Sequence, residues 1–167
     1  MSQPQHDTSD DATMQAIMTA LRSCYGSLDE PDFRKVTAIL ENDPYRPLIE
    51  TLRSSGTEIT ESMDLNNDVA IHLIVDQAGD QVGLWLSGVG PFATLRQLDS
   101  DGRSLWVTGP EDAPTPLAAL VATAVQRAGL QLLDRRTVTQ KIRMQCFDGE
   151  TEASLYQALF TDTDRIP

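Results

Sequence analysis

Asp68-Val-Ala-Ile-His-Leu-Ile-Val-Asp76, the turn Ala78-Gly79-Asp80 and the run Val82-Gly-Leu-Trp-Leu86 decide how this chain folds. Each apolar run is short, rich in β-branched and aromatic residues, and fenced by turn formers. The pattern continues through Gly88-Val89-Gly90-Pro91, Phe92-Ala-Thr-Leu-Arg-Gln-Leu98, the turn Asp99-Ser100-Asp101-Gly102, and Leu105-Trp-Val107. Strand-like runs separated by tight turns describe an antiparallel meander. Val69, Ile71, Leu73 and Val75 fall on one face of the first run. Ala70, His72 and Ile74 fall on the other, which predicts a central strand covered on both sides. Gly83 either weakens its strand or lets a neighbour pack close.

Outward from the meander the period changes. Upstream, Ile59, Met63 and Leu65 alternate with polar residues, a half-buried strand in which Glu61 is the exception. Before it lie three helical stretches. Met14, Ile17, Met18, Leu21 and Tyr25 form one stripe, with Asp10 and Asp11 at its positive end and Gly26 as its stop. Asp29-Glu30-Pro31 predicts the start of a second helix, with Phe33, Val36 and Leu40 buried and Asn42-Asp43-Pro44 ending it. Pro47 suits the first turn of a third, carrying Leu48, Ile49 and Leu52. Downstream, Thr115-Pro116 caps a long helix whose stripe is Leu117, Leu120, Val121, Ala124, Val125 and Ala128, closed by Gly129. Leu130 to Leu133 reads as a strand, 135–148 stays open between strand and loop, and Ala153 to Phe160 reads as a short terminal helix. The expected architecture is therefore α+β: a meander of about five strands packed against N-terminal helices and a long helix after the sheet. Residues 1–10 are expected to be a disordered leader and 11–167 a single domain.

The chain has 167 residues, with 13 Lys and Arg against 25 Asp and Glu, a net charge of -12. That charge repels phosphate backbones and anionic membranes, so neither nucleic acid nor a membrane is expected as a partner. A protein with a basic surface suits it better. Two distant cysteines, Cys24 and Cys146, make neither a disulfide framework nor a zinc site. The N-terminus has no basic and apolar signal pattern, and no apolar run reaches spanning length. The expected location is cytoplasmic.

No catalytic, cofactor-binding or metal-ligating set is assigned. His72 lies in an apolar strand and reads as a satisfied structural histidine. Gly88-Val89-Gly90-Pro91 lacks the third glycine and the following helix of a phosphate loop. Asp99-Ser100-Asp101-Gly102 opens like a calcium loop, but Pro110 stands where its bidentate glutamate belongs, so it reads as a hairpin turn. Trp85 and Trp106 read as core or helix-packing residues rather than a binding platform. Arg135, Arg136, Lys141 and Arg143 are expected to face solvent or neutralise carboxylates.

The C-terminal sequence, from Leu132-Leu133-Asp134-Arg135 through the Gly149 turn to Ala158-Leu-Phe-Thr-Asp-Thr-Asp-Arg-Ile-Pro167, resembles the ending of small acidic bacterial proteins encoded beside secreted toxins. Those are similar to immunity proteins of polymorphic and interbacterial toxin systems. The resemblance implies a non-enzymatic cytoplasmic inhibitor, without cofactor, that occludes the active site of one cognate toxin. Its expected contact residues are Asp99, Asp101, Glu111, Asp112, Asp162 and Asp164, facing a basic cleft. An acidic secretion chaperone of the type III kind, binding an effector, is the alternative. It predicts a homodimer with exposed apolar grooves.

Overall fold

The computed structural model describes residues 8–62, 68–98, 101, 103–146 and 149–161. Its centre is the meander. Strands β1 (Glu58–Ser62), β2 (Ala70–Gln77), β3 (Asp80–Ser87), β4 (Phe92–Leu98) and β5 (Ser104–Val107) pair in sequence order, each antiparallel to the next. The β2–β3 connection is a two-residue turn, Gln77 pairing with Asp80 across Ala78 and Gly79. Both turn residues have positive φ, 54° and 88°. Two positive values in a row match the right-handed twist of the flanking strands, and Ala78 accepts the strain that glycine normally avoids.

Period-two alternation divides the sheet into two faces. On the first face the register aligns Leu73, Leu84, Leu95 and Val107 in one row across β2 to β5. Ile71, Leu86 and Ala93 form the next row. All of these are buried. Their cover is helical. α3 (Arg46–Ser54) contacts β1, and α4 (Pro116–Arg127) contacts α3, β3 and β4. α4 begins as its sequence requires: the Thr115 side chain accepts from Ala118 N at 3.2 Å, and Pro116 occupies the first turn. Its buried residues are Leu117, Ala118, Val121, Ala122 and Val125, so the inward face is turned slightly from the expected stripe, and Ala128 is exposed. The same Thr115 hydroxyl donates to Gln97 Oε1 at 2.8 Å, which satisfies a buried amide on the first face.

Helices α1 (Thr8–Tyr25) and α2 (Arg34–Glu41) pack on each other. α1 starts inside the stretch expected to be leader; residues 1–7 lie outside the described residues. α2 starts later than Asp29-Glu30-Pro31 predicts. Those residues form a turn instead: Ser27 Oγ accepts from Asp29 N and Glu30 N, Gly26 bridges Pro31, and Asp32 N donates to the Tyr25 carbonyl at 3.0 Å. This turn, tied to the rest of the chain by Gln145 N donating to the Leu28 carbonyl at 2.9 Å, outcompetes a good local helix start. β1 is an edge strand with four of its five residues exposed, less buried than its alternation implies; Met63 and Leu65 lie outside the described residues.

After α4 the chain forms β6 (Gln131–Leu132), parallel to β4 beside Phe92 and Ala93. Within the open segment 135–148, of which Phe147 and Asp148 lie outside the described residues, the chain forms α5 (Arg135–Val138), capped by Asp134, and β7 (Lys141–Arg143). β7 pairs with β8 (Glu152–Ser154), which leads into α6 (Leu155–Leu159) through a capping box between Ser154 and Gln157. Arg136 approaches Asp10 at 3.5 Å and Arg143 approaches Asp29 at 3.4 Å. These basic residues neutralise surface carboxylates, and exposed pairs of this kind contribute little.

Candidate functional site

The second sheet face is where this chain departs from an ordinary core. The register brings His72, Trp85 and Thr94 into one row and Ile74, Gly83, Arg96 and Trp106 into the next. Helix α6 covers one end of this face. Ser87 Oγ donates to the Leu159 carbonyl at 2.6 Å, Val69 N donates to the Phe160 carbonyl, and Thr161 Oγ1 donates to Asp68 Oδ1 at 3.0 Å. Tyr156 of α6 meets the Trp106 ring edge-on at 6.5 Å and Phe160 at 5.5 Å. Beyond Tyr156 the face opens, and Trp85, Trp106, Ile74 and His72 are only half buried.

At the centre of the cluster is Arg96, 4% exposed. Its guanidinium carbon lies 3.9 Å from the centre of the Trp85 ring and 5.9 Å from that of Trp106. The stacking depends on Gly83. A Cβ there would stand 2.4 Å from an indole carbon of Trp85, so only a bare backbone lets the ring lie across the strand and reach Arg96. The aromatic faces attract the cation but accept no conventional hydrogen bond. Arg96 Nε has no hydrogen-bond partner among the described residues, and neither do buried Thr94 Oγ1 and His72 Nε2.

Burial shapes the titration of this cluster. It pulls the His72 pKa below 6.5, opposed by the Asp68 carboxylate 3.9 Å from Nε2 and by a hydrogen bond to the Phe160 backbone, and reinforced by Arg96. At neutral pH the imidazole is therefore uncharged. Burial also lowers the Arg96 pKa and pushes the Tyr156 phenol up to about 12. The groups assembled here are a guanidinium, polar atoms without hydrogen-bond partners among the described residues, and aromatic rings, an arrangement that can take an acceptor.

Trp85 and Trp106 pack against the core, as their sequence context suggests, Trp106 also against Tyr156 of α6; half buried, they stand on either side of Arg96. Arg96 attracts no notice in the sequence. Its signal is parity: an arginine on the same strand face as two tryptophans, with a glycine directly across from it. Asp68 likewise escapes notice as a neighbour of His72, because its segment precedes β2 and approaches the imidazole only once the face is built.

The acidic residues expected at a contact surface are distributed more widely. Asp101 is exposed in the β4–β5 turn. Glu111 and Asp112 are exposed on a 3₁₀ turn, Pro110–Asp112, that follows the opposite end of β5. Asp112 accepts from the Thr108 hydroxyl at 2.6 Å. Asp99, Asp162 and Asp164 lie outside the described residues. The structure adds other carboxylates to the end of the sheet where Asp101 sits. Glu58 stands directly opposite Asp76 across β1 and β2, and Asp80 begins β3 beside them.

Two depressions lie away from both regions. One, of about 800 Å³, runs between α1, α2 and the β3–β4 connection and is lined mainly by small and apolar side chains, including Ala16, Ala20, Ile39, Val89 and Phe92. The other, of about 510 Å³, separates α3 from α4. Among the described residues no helix is long and apolar enough to cross a membrane. Comparison of the chain with protein-family models, curated proteins and solved structures finds no match.

Proposed function

We propose that this chain is a non-enzymatic binding protein of the immunity type, acting in the cytoplasm by covering the basic active-site cleft of a cognate toxin. The observation that carries this reading is the acidic end of the sheet. Glu58 and Asp76 are cross-strand partners, and like charges directly opposite on antiparallel strands destabilise the pair. Asp80 stands at the same end, and Asp101 lies there in the β4–β5 turn. A cationic partner surface turns that local cost into attraction and steers the encounter at long range. The resemblance of the C-terminal sequence to immunity proteins supports the same class of partner.

The test begins with co-purification of the chain with the C-terminal domain of a large secreted protein encoded beside it. Charge reversal follows, as Asp76→Lys, Asp80→Lys and Asp101→Lys combined. The association rate should fall about tenfold or more at low salt, with a much smaller difference at high salt, because the term is screened. Unchanged rates with unchanged salt dependence remove the acidic end from the interface. Failure of any basic toxin domain to bind removes the reading itself.

A secretion chaperone or adaptor is the second reading, favoured by the apolar depression between α1 and α2. It calls for a homodimer in light scattering. It also calls for capture of an extended effector segment that Ala16→Trp, filling the groove, abolishes.

A further inference from the structure

We propose that Arg96 anchors a second binding site, which takes a carboxylate presented by a polypeptide, an aspartate or glutamate side chain of a bound protein. The site goes beyond the partner reading above and does not depend on it. Three polar groups on one sheet face, Arg96 Nε, Thr94 Oγ1 and His72 Nε2, are buried without hydrogen-bond partners among the described residues. Buried polar groups are hydrogen-bonded in the great majority of proteins, so three orphans on neighbouring strands are unmet demands for partners, and the Arg96 Nε–H, which can only donate, calls for an acceptor. The demand is greatest at Arg96. A buried guanidinium without an anion is costly, and stacking on indole compensates only part of that cost.

The geometry selects the kind of acceptor. With its face against Trp85, the guanidinium can satisfy its remaining donors only along its edge. An edge-on guanidinium matches a planar carboxylate through two parallel hydrogen bonds. The chain's net charge of -12 disfavours a multiply charged phosphate approaching this face. A single carboxylate is repelled less, and exposed acids farther away than the screening length weigh little against direct contact. Asp68 does not take this role: its Oδ1 accepts from Thr161 and lies 3.9 Å from His72. The surroundings select the carrier. Trp85, Trp106 and Tyr156 border the arginine, and Trp, Tyr and Arg are the residue types that dominate protein–protein hot spots. The open half of the face continues across β2 and β1 through Ile74 and Thr60, a surface on which an extended chain can lie.

The test uses the whole protein and two short peptides, acetyl-Gly-Glu-Gly-amide and its Gln counterpart, followed by NMR at the Arg96 Nε–H and the indole N–H groups of Trp85 and Trp106. The Glu peptide should shift all three resonances saturably in the millimolar range, and the Gln peptide should bind about tenfold more weakly, the difference made by a charge-assisted hydrogen bond. Arg96→Lys, which keeps the charge but removes the fork, should weaken the Glu peptide about tenfold. The comparison of Glu with Gln in the unmodified protein decides the matter even if that variant fails to fold. Equal binding of the two peptides, or no shift with either, overturns the site. Inorganic phosphate shifting the same resonances as tightly as the Glu peptide overturns its assignment to carboxylate. Since the peptides carry no basic surface, loss of the acidic-end reading leaves this result standing, and the converse holds.

Discussion

Gly83→Ala is a one-carbon change whose effect should reverse sign with its neighbour. The added Cβ would sit 2.4 Å and 2.8 Å from two carbons of the Trp85 ring, well inside contact distance. The ring must move, and overpacking of this kind costs about 1–3 kcal/mol. Displacing the ring also lengthens its 3.9 Å stacking distance from the Arg96 guanidinium, forfeiting a further ~0.5–2 kcal/mol. Against this, alanine restricts the unfolded chain and returns about 0.4–1 kcal/mol. The net loss is roughly 2 kcal/mol, which at an m-value of about 1–3 kcal/mol/M displaces the urea midpoint by roughly 1 M. Gly83 has no positive φ among the described glycines, so alanine suits its backbone. In a Trp85→Ala background the obstruction is gone and only the gain remains. There Gly83→Ala should be neutral or stabilising. Urea unfolding of the four proteins, followed by far-UV circular dichroism, gives the coupling directly. An equal loss in both backgrounds would falsify the idea that this glycine exists to receive the indole.

Three further outcomes follow from the same contacts. Burial holds the His72 pKa below 6.5, so its contribution to stability is complete above that pH and is lost as pH falls through the folded value; His72→Gln should show a flatter stability profile below pH 6.5 in chemical unfolding. Tyr45 and Tyr156 are both pushed up to about 12 by burial, so stability should hold to about pH 10 and fall between there and pH 12; in a tyrosinate absorbance titration, Tyr45→Phe and Tyr156→Phe should each remove one late-titrating phenol. Ser154 Oγ accepts from Gln157 N at 3.1 Å while Gln157 Oε1 accepts from Ser154 N at 2.9 Å, so Ser154→Ala should cost about 1 kcal/mol and lower the melting temperature by about 2–4 °C in calorimetry.

The first sheet face and its helices were legible because each states its rule locally. Strand alternation, the Ala78-Gly79 turn and the Thr115-Pro116 cap are encoded within a few residues of where they act. The boundaries that moved are those where distant partners intervene. The start of α2 gave way to a turn closed by Gly26 and Pro31 and held from a distance by Gln145 N donating to the Leu28 carbonyl, and β1 has a strand neighbour on one side alone. β7 could not be read because its hydrogen-bonding partner, β8, begins only at Glu152 and its own sequence has one apolar residue, half-buried Ile142. The arginine cradle was hidden for another reason. Its members come from separate strands, and each taken alone has an ordinary explanation: a strand tryptophan, an alternating polar residue, a turn-prone glycine.

What marks the cradle is that several ordinary features break their rules together. A central strand normally avoids glycine, a buried arginine normally has an anion, and a buried threonine hydroxyl is normally satisfied. Here Gly83, Arg96 and Thr94 depart from those rules within two adjacent rows of one sheet face. On the opposite face of the same strands, Leu73, Leu84, Leu95 and Val107 depart from none. A sheet that needed only to be stable would fill both faces alike once a helix covered part of the second. Concentrated local inconsistency against a consistent background is the mark of a site maintained for something other than folding. The acidic sheet end has the same character, since Glu58 facing Asp76 weakens the strand pair they belong to. Both places cost the isolated chain stability, and the contacts proposed above would relieve each, a basic surface at the one and a carboxylate at the other.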